Sequence, residues 1–279
     1  MLFLILAIFS SAMVSIIMRL SSGKVSGNFS MLVMNYLMCS LLCALSAGGG
    51  NLLDLSDPRL AVTAAMGCFN GTLYLASFVL LQVNVRRNGV VLSSTFMKLG
   101  LLVTMVISIC FYGEMPSLVQ ALGFLLAVGA ILLINDHRKS GSTGFKAGLI
   151  GLLLCGGMAD AMSKIFEESG VPGMEGQFLF FTFFTAFLFC ILCMLVKRQK
   201  IGRWEAFFGL LIGIPNFYSS KFLLRALEDV AAVIAYPVYS VATILTVTLT
   251  GVLFFRERLE KRQWVALGMI LTALILLNT

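Results

Sequence analysis

Polar side chains interrupt several long apolar runs of this sequence. A charged or amide group in hydrocarbon is costly unless it is paired or meets water, so such groups are the first candidates for a binding site. Together they offer amides, hydroxyls, amines and one carboxylate, which suits recognition of a small polar solute and provides no catalytic set. The candidates are Asn35, Asn70, Ser94, Lys98, Asp160, Lys164, Asn216, Lys221 and Tyr239.

Asp160 and Lys164 lie four residues apart, on the same face of a predicted helix. One interpretation is an intrahelical ion pair that neutralises both groups. The other makes Asp160 a carboxylate that binds and releases a proton while a carrier alternates between two states. The spacing is compatible with both.

Lys98 and Lys221 also have two interpretations. Each lysine could extend its amine to water at the membrane surface. A cavity-facing lysine would instead attract a carboxylate or a phosphate, and Ser94, one turn before Lys98, favours a polar lining. Since lysines and an aspartate occur together, a zwitterion such as an amino acid is a suitable solute.

Two prolines predict interruptions at membrane depth. Pro215 and Pro237 each remove a helical hydrogen bond, and the freed carbonyls are tolerated where they line a cavity or find other donors. Tyr236, Tyr239 and Thr243 follow i, i+3, i+7 spacing and form one helix face, which either lines a pathway or packs against a neighbouring helix.

The composition requires a membrane around these residues. The chain has 279 residues, of which 59% are hydrophobic and 12% charged, so its apolar surface exceeds what a soluble core could bury. We predict an all-α integral membrane protein with ten transmembrane helices and assign no nucleic-acid partner to the net charge of +7. The predicted spans are 2–18, 30–47, 60–82, 88–112, 117–135, 147–166, 177–196, 205–227, 230–255 and 263–278.

An internal repeat divides the chain into two five-helix halves, 1–140 and 141–279. Segment 111–135 aligns without gaps to segment 254–278. A second match places Asn70 opposite Asn216. The gapless alignment pairs Glu114 with Glu257, Gln120 with Gln263 and Asn135 with Asn278.

An odd number of helices per half predicts inverted repeats, and the basic residues agree. Of the 20 Lys and Arg residues, only Arg59 and Arg225 lie at or beside the connections that follow even-numbered spans, and three lie deeper inside spans. The positive-inside rule then predicts that both termini lie outside the cytoplasm.

The sequences GEMPSLVQALGFLLAVGAILL and RERLEKRQWVALGMILTALILL resemble the EamA-type transporters of the drug/metabolite transporter superfamily. The resemblance covers both halves of the chain. It implies a ten-helix permease of the inner membrane, built as two inverted repeats, that often exports amino acids or other small metabolites. It also implies cytoplasmic termini, against the charge count.

We therefore expect a secondary transporter for a small metabolite that works by alternating access, with proton coupling as a further possibility. It needs no cofactor or metal, is not an enzyme, and has the lipid bilayer and a small-molecule substrate as partners. The sequence is compatible with a monomer and with a homodimer. The alternatives are a non-transporting membrane scaffold subunit and a membrane-embedded enzyme acting on lipid-linked substrates.

Overall fold

The computed structural model describes residues 1–21, 23–46, 57–88, 93, 96–97, 99–135, 146–255 and 261–277. Within these residues it contains ten α-helices and no strand, which confirms the all-helical class. Each of the ten predicted spans overlaps one of them. The helices are α1 Leu2–Ser21, α2 Asn28–Ser46, α3 Arg59–Asn88, α4 Leu101–Tyr112, α5 Leu118–Asn135, α6 Lys146–Ser169, α7 Glu175–Val196, α8 Arg203–Leu227, α9 Ala232–Phe255 and α10 Lys261–Leu277.

Seven of the described helices are long and apolar enough to cross a membrane, namely α1, α2, α3, α6, α7, α8 and α9. The described apolar stretches of α4, α5 and α10 are shorter. Large apolar side chains such as Phe111, Leu118 and Val196 are almost fully exposed, as expected where lipid and not water covers the surface. The chain is a multi-pass membrane protein.

The first part of the fourth predicted span, 88–112, lies largely outside the described residues. Residue 88 is the last residue of α3, residues 93, 96 and 97 are helical, and α4 runs from Leu101 to Tyr112. The helix ends at Gly113, whose φ of 67° is the left-handed conformation that closes many helices. The candidate residues Ser94 and Lys98 lie outside the described residues.

The chain folds into two compact units, and each takes segments from both sequence halves. Unit A contains Leu2–Leu75 and Ile165–Ala226. Unit B contains Ala76–Lys164 and Leu227–Thr279, with Met1. A compact unit is defined by contacts and a repeat by common descent, so the division into repeats at residue 140 stays a prediction.

Glycines on two helices of unit A allow direct contact between helix backbones. A Cβ atom on Gly67 of α3 would lie 2.8 Å from the Phe178 carbonyl oxygen of α7, and one on Gly71 would collide with the Thr182 carbonyl. Small residues at such positions let membrane helices approach closely. α3 is therefore packed on α7 at a register that these two glycines fix.

The same arrangement occurs between α8 and α2. A Cβ atom on Gly209 would collide with the Met31 carbonyl, and one on Gly213 would lie 2.7 Å from the Asn35 carbonyl. Gly209 and Gly213 thus make close contacts with α2 that are similar to those of Gly67 and Gly71 with α7.

The match of Asn70 to Asn216 as repeat counterparts stays a prediction. Asn70 lies between Gly67 and Gly71 on α3, and Asn216 follows Gly213 on α8 by three residues.

In unit B, small residues also bring helices together. Ala127, Ala130, Ala266 and Ala273 of α5 and α10 are fully buried, and a Cβ on Gly123 would lie 2.9 Å from the Cβ of Leu276. The close packing of α5 with α10 thus uses the pair of helices that the sequence alignment had matched.

Pro215 and Pro237 lie inside continuous helices, α8 and α9, as the predicted spans 205–227 and 230–255 require. The role of the freed carbonyls in lining a cavity stays a prediction. A single proline removes only one N–H donor, and packing on both sides of it keeps the remaining helical bonds in place.

Candidate functional site

Two predicted site residues of unit A bind each other. Asn35 on α2 is buried, and its Oδ1 accepts a hydrogen bond of 3.2 Å from Nδ2 of Asn216 on α8. Cys39, one turn further along α2, donates its thiol to the Gly213 carbonyl at 3.3 Å. The close backbone approach at Gly213 brings these polar groups within reach of one another.

In the side-chain amide of Asn70, the nitrogen is hydrogen-bonded and the oxygen is not, among the described residues. Its Nδ2 donates to Oγ1 of Thr182 on α7 at 3.4 Å, and that hydroxyl donates to the Phe178 carbonyl at 2.8 Å. The side chain is only 2% exposed, and its Oδ1 has no hydrogen-bond partner among the described residues. An unsatisfied buried acceptor costs about 1–3 kcal/mol. Asn70 therefore keeps one acceptor for which the described part of the chain supplies no donor.

A cavity of about 290 Å³ lies within unit A. Its wall is formed by the C-terminal end of α2, the residues that lead into α7, and the C-terminal half of α8. The described residues that line it include cationic, anionic, amide and apolar side chains. The lining residues are Cys43, Ser46, Gly173, Glu175, Gly176, Gln177, Leu179, Phe217, Lys221, Leu224 and Arg225.

The charges in this cavity are predominantly positive. Lys221 is half-buried, and its Nζ lies 5.5 Å from the ring centroid of Phe217. Arg225, one turn further along α8, also lines the cavity. The Glu175 carboxylate accepts the N–H of Gly173 at 2.9 Å. Two cations and one carboxylate favour an anionic group in the remaining space.

Polar groups continue below the cavity on all three helices that line it, and those on α2 and α7 are buried. Thr182 lies about one turn, roughly 5 Å, deeper on α7 than the cavity residue Leu179. Cys39 lies one turn deeper on α2 than Cys43, and Asn216 precedes the lining residue Phe217 on α8. The polar surface of the cavity is thus followed by hydrogen-bonding groups inside the helix bundle of unit A.

In unit B, the partner of Lys164 is a residue that sequence reasoning missed as a site residue. The Lys164 Nζ lies 2.9 Å from Oε1 of Glu114, in the connection between α4 and α5. The other carboxylate oxygen of Glu114 accepts the N–H of Val233, in the first turn of α9, at 3.1 Å. One signal was available, since Glu114 matches Glu257 in the repeat.

Asp160 is exposed, one turn before Lys164 on α6. Its backbone carbonyl accepts the hydroxyl of Tyr236 on α9. Tyr236 and Thr243 are buried, whereas Tyr239 is half-exposed, so the three members of the predicted stripe have different environments. Tyr239 remains a candidate without a described contact to a cavity.

The structure therefore brings some predicted site residues together and separates others. Unit A contains Asn35, Asn70, Asn216 and Lys221, at or just below one cavity. Unit B contains Asp160, Lys164 and Tyr239. Over the described ranges, no cluster of His, Cys, Asp and Glu has the composition of a metal site.

Residues 1–136 and 147–279 match the EamA-like transporter family. A Haemophilus influenzae protein described as "Uncharacterized protein" is 25% identical over 213 residues, which cover 74% of this chain and 72% of that protein. A solved crystal structure, at 13% identity, superposes with a TM-score of 0.79 over 99% of this chain and 96% of that chain. This last similarity concerns the fold alone.

Proposed function

Because the chain belongs to the EamA-like transporter family, we propose that it is a secondary transporter for an amino acid or a related small organic solute. The observation that carries the proposal is the cavity of unit A, where Lys221 and Arg225 meet apolar and amide groups among membrane-spanning helices. Charged residues inside such helices are costly and usually serve transport or binding.

The size of the cavity supports a small solute. Its volume of about 290 Å³ is near the lower end of the range for small-molecule sites, roughly 300–1,000 Å³. Phe217 and Leu224 offer apolar contact to a short side chain, and Lys221 offers a cation to a carboxylate. A solute with a few non-hydrogen atoms satisfies both groups of residues.

The polar pairs below the cavity support alternating access. Asn35 and Asn216 join α2 to α8, and Asn70 and Thr182 join α3 to α7. A solute that exchanges hydrogen bonds with these amides would favour the helix arrangement in which it fits best. The exchange replaces one hydrogen bond by another, so it needs little energy.

Proton coupling through Asp160 is part of the proposal. The charge of Lys164 is balanced by Glu114, so Asp160 is not required to neutralise it. An exposed carboxylate on a membrane-spanning helix can exchange protons with water while the transporter changes state.

The distribution of basic residues supports an orientation in the cytoplasmic membrane. Connections after even-numbered helices are poor in Lys and Arg. The cavity is lined by the end of α2, the start of α7 and the end of α8, which all adjoin such connections. We place this end of unit A, and both chain termini, outside the cytoplasm.

The test is uptake of radiolabelled amino acids, organic acids, amines and sugars into proteoliposomes, with and without a pH gradient. Cys43→Phe should fill the cavity and abolish saturable flux. Cys68→Phe, the same change at an exposed position on α3, should leave flux unchanged. Folded wild-type protein that moves no solute would favour a scaffold or an enzyme instead.

A further inference from the structure

Two connections of unit A are bound to each other at one end of its helices. The side-chain oxygen of Gln199, between α7 and α8, accepts the N–H of Phe29 at 3.0 Å and that of Ser30 at 3.3 Å. In the first turn of α8, Oε1 of Glu205 accepts the N–H of Ser26 at 2.8 Å. These hydrogen bonds join the α1–α2 and α7–α8 connections into one surface.

This surface, formed by residues 19–30 and 197–205, is strongly basic, and we call it the basic end of unit A. Its only acidic residue in the sequence is Glu205, which is buried and accepts backbone N–H groups. The surface therefore attracts anions. Its exposed cationic residues are Lys24, Lys197, Arg198, Lys200 and Arg203.

An aromatic side chain places these charges at the depth of lipid headgroups. The Lys24 Nζ lies 5.0 Å from the ring centroid of Trp204, which directly follows Arg203 in the chain. Trp204 is 50% exposed. Tryptophan is enriched where the membrane meets water, so Lys24 and Arg203 lie beside the headgroup layer.

An exposed apolar row continues from Trp204 along α8. Its members recur at helical spacing on one face and extend about 21 Å along the axis, more than the ~15 Å of hydrocarbon in one leaflet. An acyl chain can lie along this row, whereas a soluble anion makes no use of it. The row consists of Trp204, Phe207, Leu211, Ile214 and Tyr218.

Arg198 occupies a backbone position that favours glycine. Its φ of 51° is left-handed, and its N–H binds the Leu195 carbonyl at 3.0 Å where α7 ends. Glycine adopts this conformation without steric cost. An exposed arginine at such a position indicates that its guanidinium has a function of its own.

We propose that the basic end of unit A binds the headgroup of an anionic phospholipid, whose acyl chains lie along the apolar row of α8. Guanidinium and ammonium groups form charge-assisted hydrogen bonds with phosphate oxygens. Each Lys or Arg near an anionic membrane surface strengthens association about fivefold. The proposal does not depend on which solute is transported.

Quenching of Trp204 fluorescence by brominated lipids tests the proposal. Trp264→Phe leaves Trp204 as the only tryptophan of the chain. This variant is reconstituted into phosphatidylcholine vesicles that contain either brominated phosphatidylglycerol or the same fraction of brominated phosphatidylcholine. We expect the anionic lipid to quench more strongly, with an association at least about fivefold tighter. Equal quenching by the two lipids would overturn the proposal.

Charge variants in the same background assign the preference to this surface. Lys24→Gln and Arg203→Gln should each reduce the preference for phosphatidylglycerol, and the double variant should abolish it. Lys261→Gln removes the same charge at an exposed position of α10 in unit B and should have no effect. If all three single variants behave alike, the attraction belongs to the total charge and the proposal is wrong.

Two further measurements test Arg198 and the source of the phosphate. Arg198→Gly should raise the unfolding temperature in neutral detergent, because glycine suits the backbone, and yet weaken the lipid preference. An unchanged preference would contradict the place of Arg198 in the site. Glycerol 3-phosphate at millimolar concentration should leave the preference unchanged. If it abolishes the preference, the surface binds a soluble anion and the lipid proposal is wrong.

Discussion

Lys164 and Glu114 form a buried ion pair in unit B, with 2.9 Å between Nζ and Oε1 and with side-chain exposures of 3% and 13%. The pair joins α6 to the connection between α4 and α5, and the backbone of Val233 binds the same carboxylate. Three chain segments thus converge on one acidic side chain. The Glu114 carboxylate therefore stabilises the packing of α6 and α9 at the connection between α4 and α5.

Removing one member of this pair should destabilise the protein strongly. Glu114→Gln leaves the Lys164 ammonium buried without its counter-charge, and we expect a loss of about 3–5 kcal/mol in the free energy of unfolding. Lys164→Met in the Glu114→Gln background should recover a large part of it, because no buried charge remains. Thermal unfolding in detergent measures the stability of each variant. If the double variant loses as much free energy of unfolding as the two single variants together, the two residues do not interact.

The backbone contact at Gly213 should not tolerate a methyl group. In Gly213→Ala the new Cβ would lie 2.5 Å from the Cβ of Met38 and 2.7 Å from the Asn35 carbonyl, so α2 and α8 must separate. We expect a loss of about 1–3 kcal/mol, typical of overpacking. Gly156→Ala on α6 is the matched control, since nothing lies within 4 Å of its Cβ, and it should be neutral or stabilising.

Substitution of Asn70 should lower transport without lowering stability. Asn70→Leu has a similar volume and removes an acceptor that lacks a donor within the described structure, so stability should stay the same or rise. Solute uptake should fall if that acceptor binds the solute. Thr182→Val removes the partner of the amide nitrogen but leaves the acceptor, and it should retain more uptake than Asn70→Leu. The idea fails if Asn70→Leu transports like the wild type.

Glu205 should stabilise the N-terminal end of α2 through its carboxylate. Its Oε1 accepts the N–H of Ser26 at 2.8 Å, the Ser26 hydroxyl at 3.0 Å and the N–H of Gly27 at 3.4 Å. Glu205→Gln keeps the shape but removes the charge, and we expect about 0.5–2 kcal/mol of destabilisation at this helix end. Hydrogen exchange should become faster at residues 26–31 and remain unchanged in α10. Unchanged exchange at residues 26–31 would contradict the role given to Glu205.

The apolar runs predicted the helices well because each span is set by its own composition. Segment 177–196 was predicted as a span, and α7 runs from Glu175 to Val196. The boundary between the third and fourth spans is less well predicted, because α3 continues to Asn88, six residues beyond the predicted end at 82. Local composition does not reveal where one helix stops and the next begins.

Contacts between distant residues were harder to predict. Asp160 lies four residues from Lys164, and sequence distance alone made it the obvious partner. Glu114 lies fifty positions away and becomes a neighbour only when α6 passes the end of α4.

The close contact at Gly213 also affects what can reach the cavity from the side. A gap that excludes a methyl group excludes a lipid tail as well, so acyl chains cannot enter between α2 and α8 at this depth. Phe217 and Lys221 lie one and two turns further along α8, directly beyond the contact. A solute held there is shielded from the hydrocarbon on this side by the helix backbones themselves.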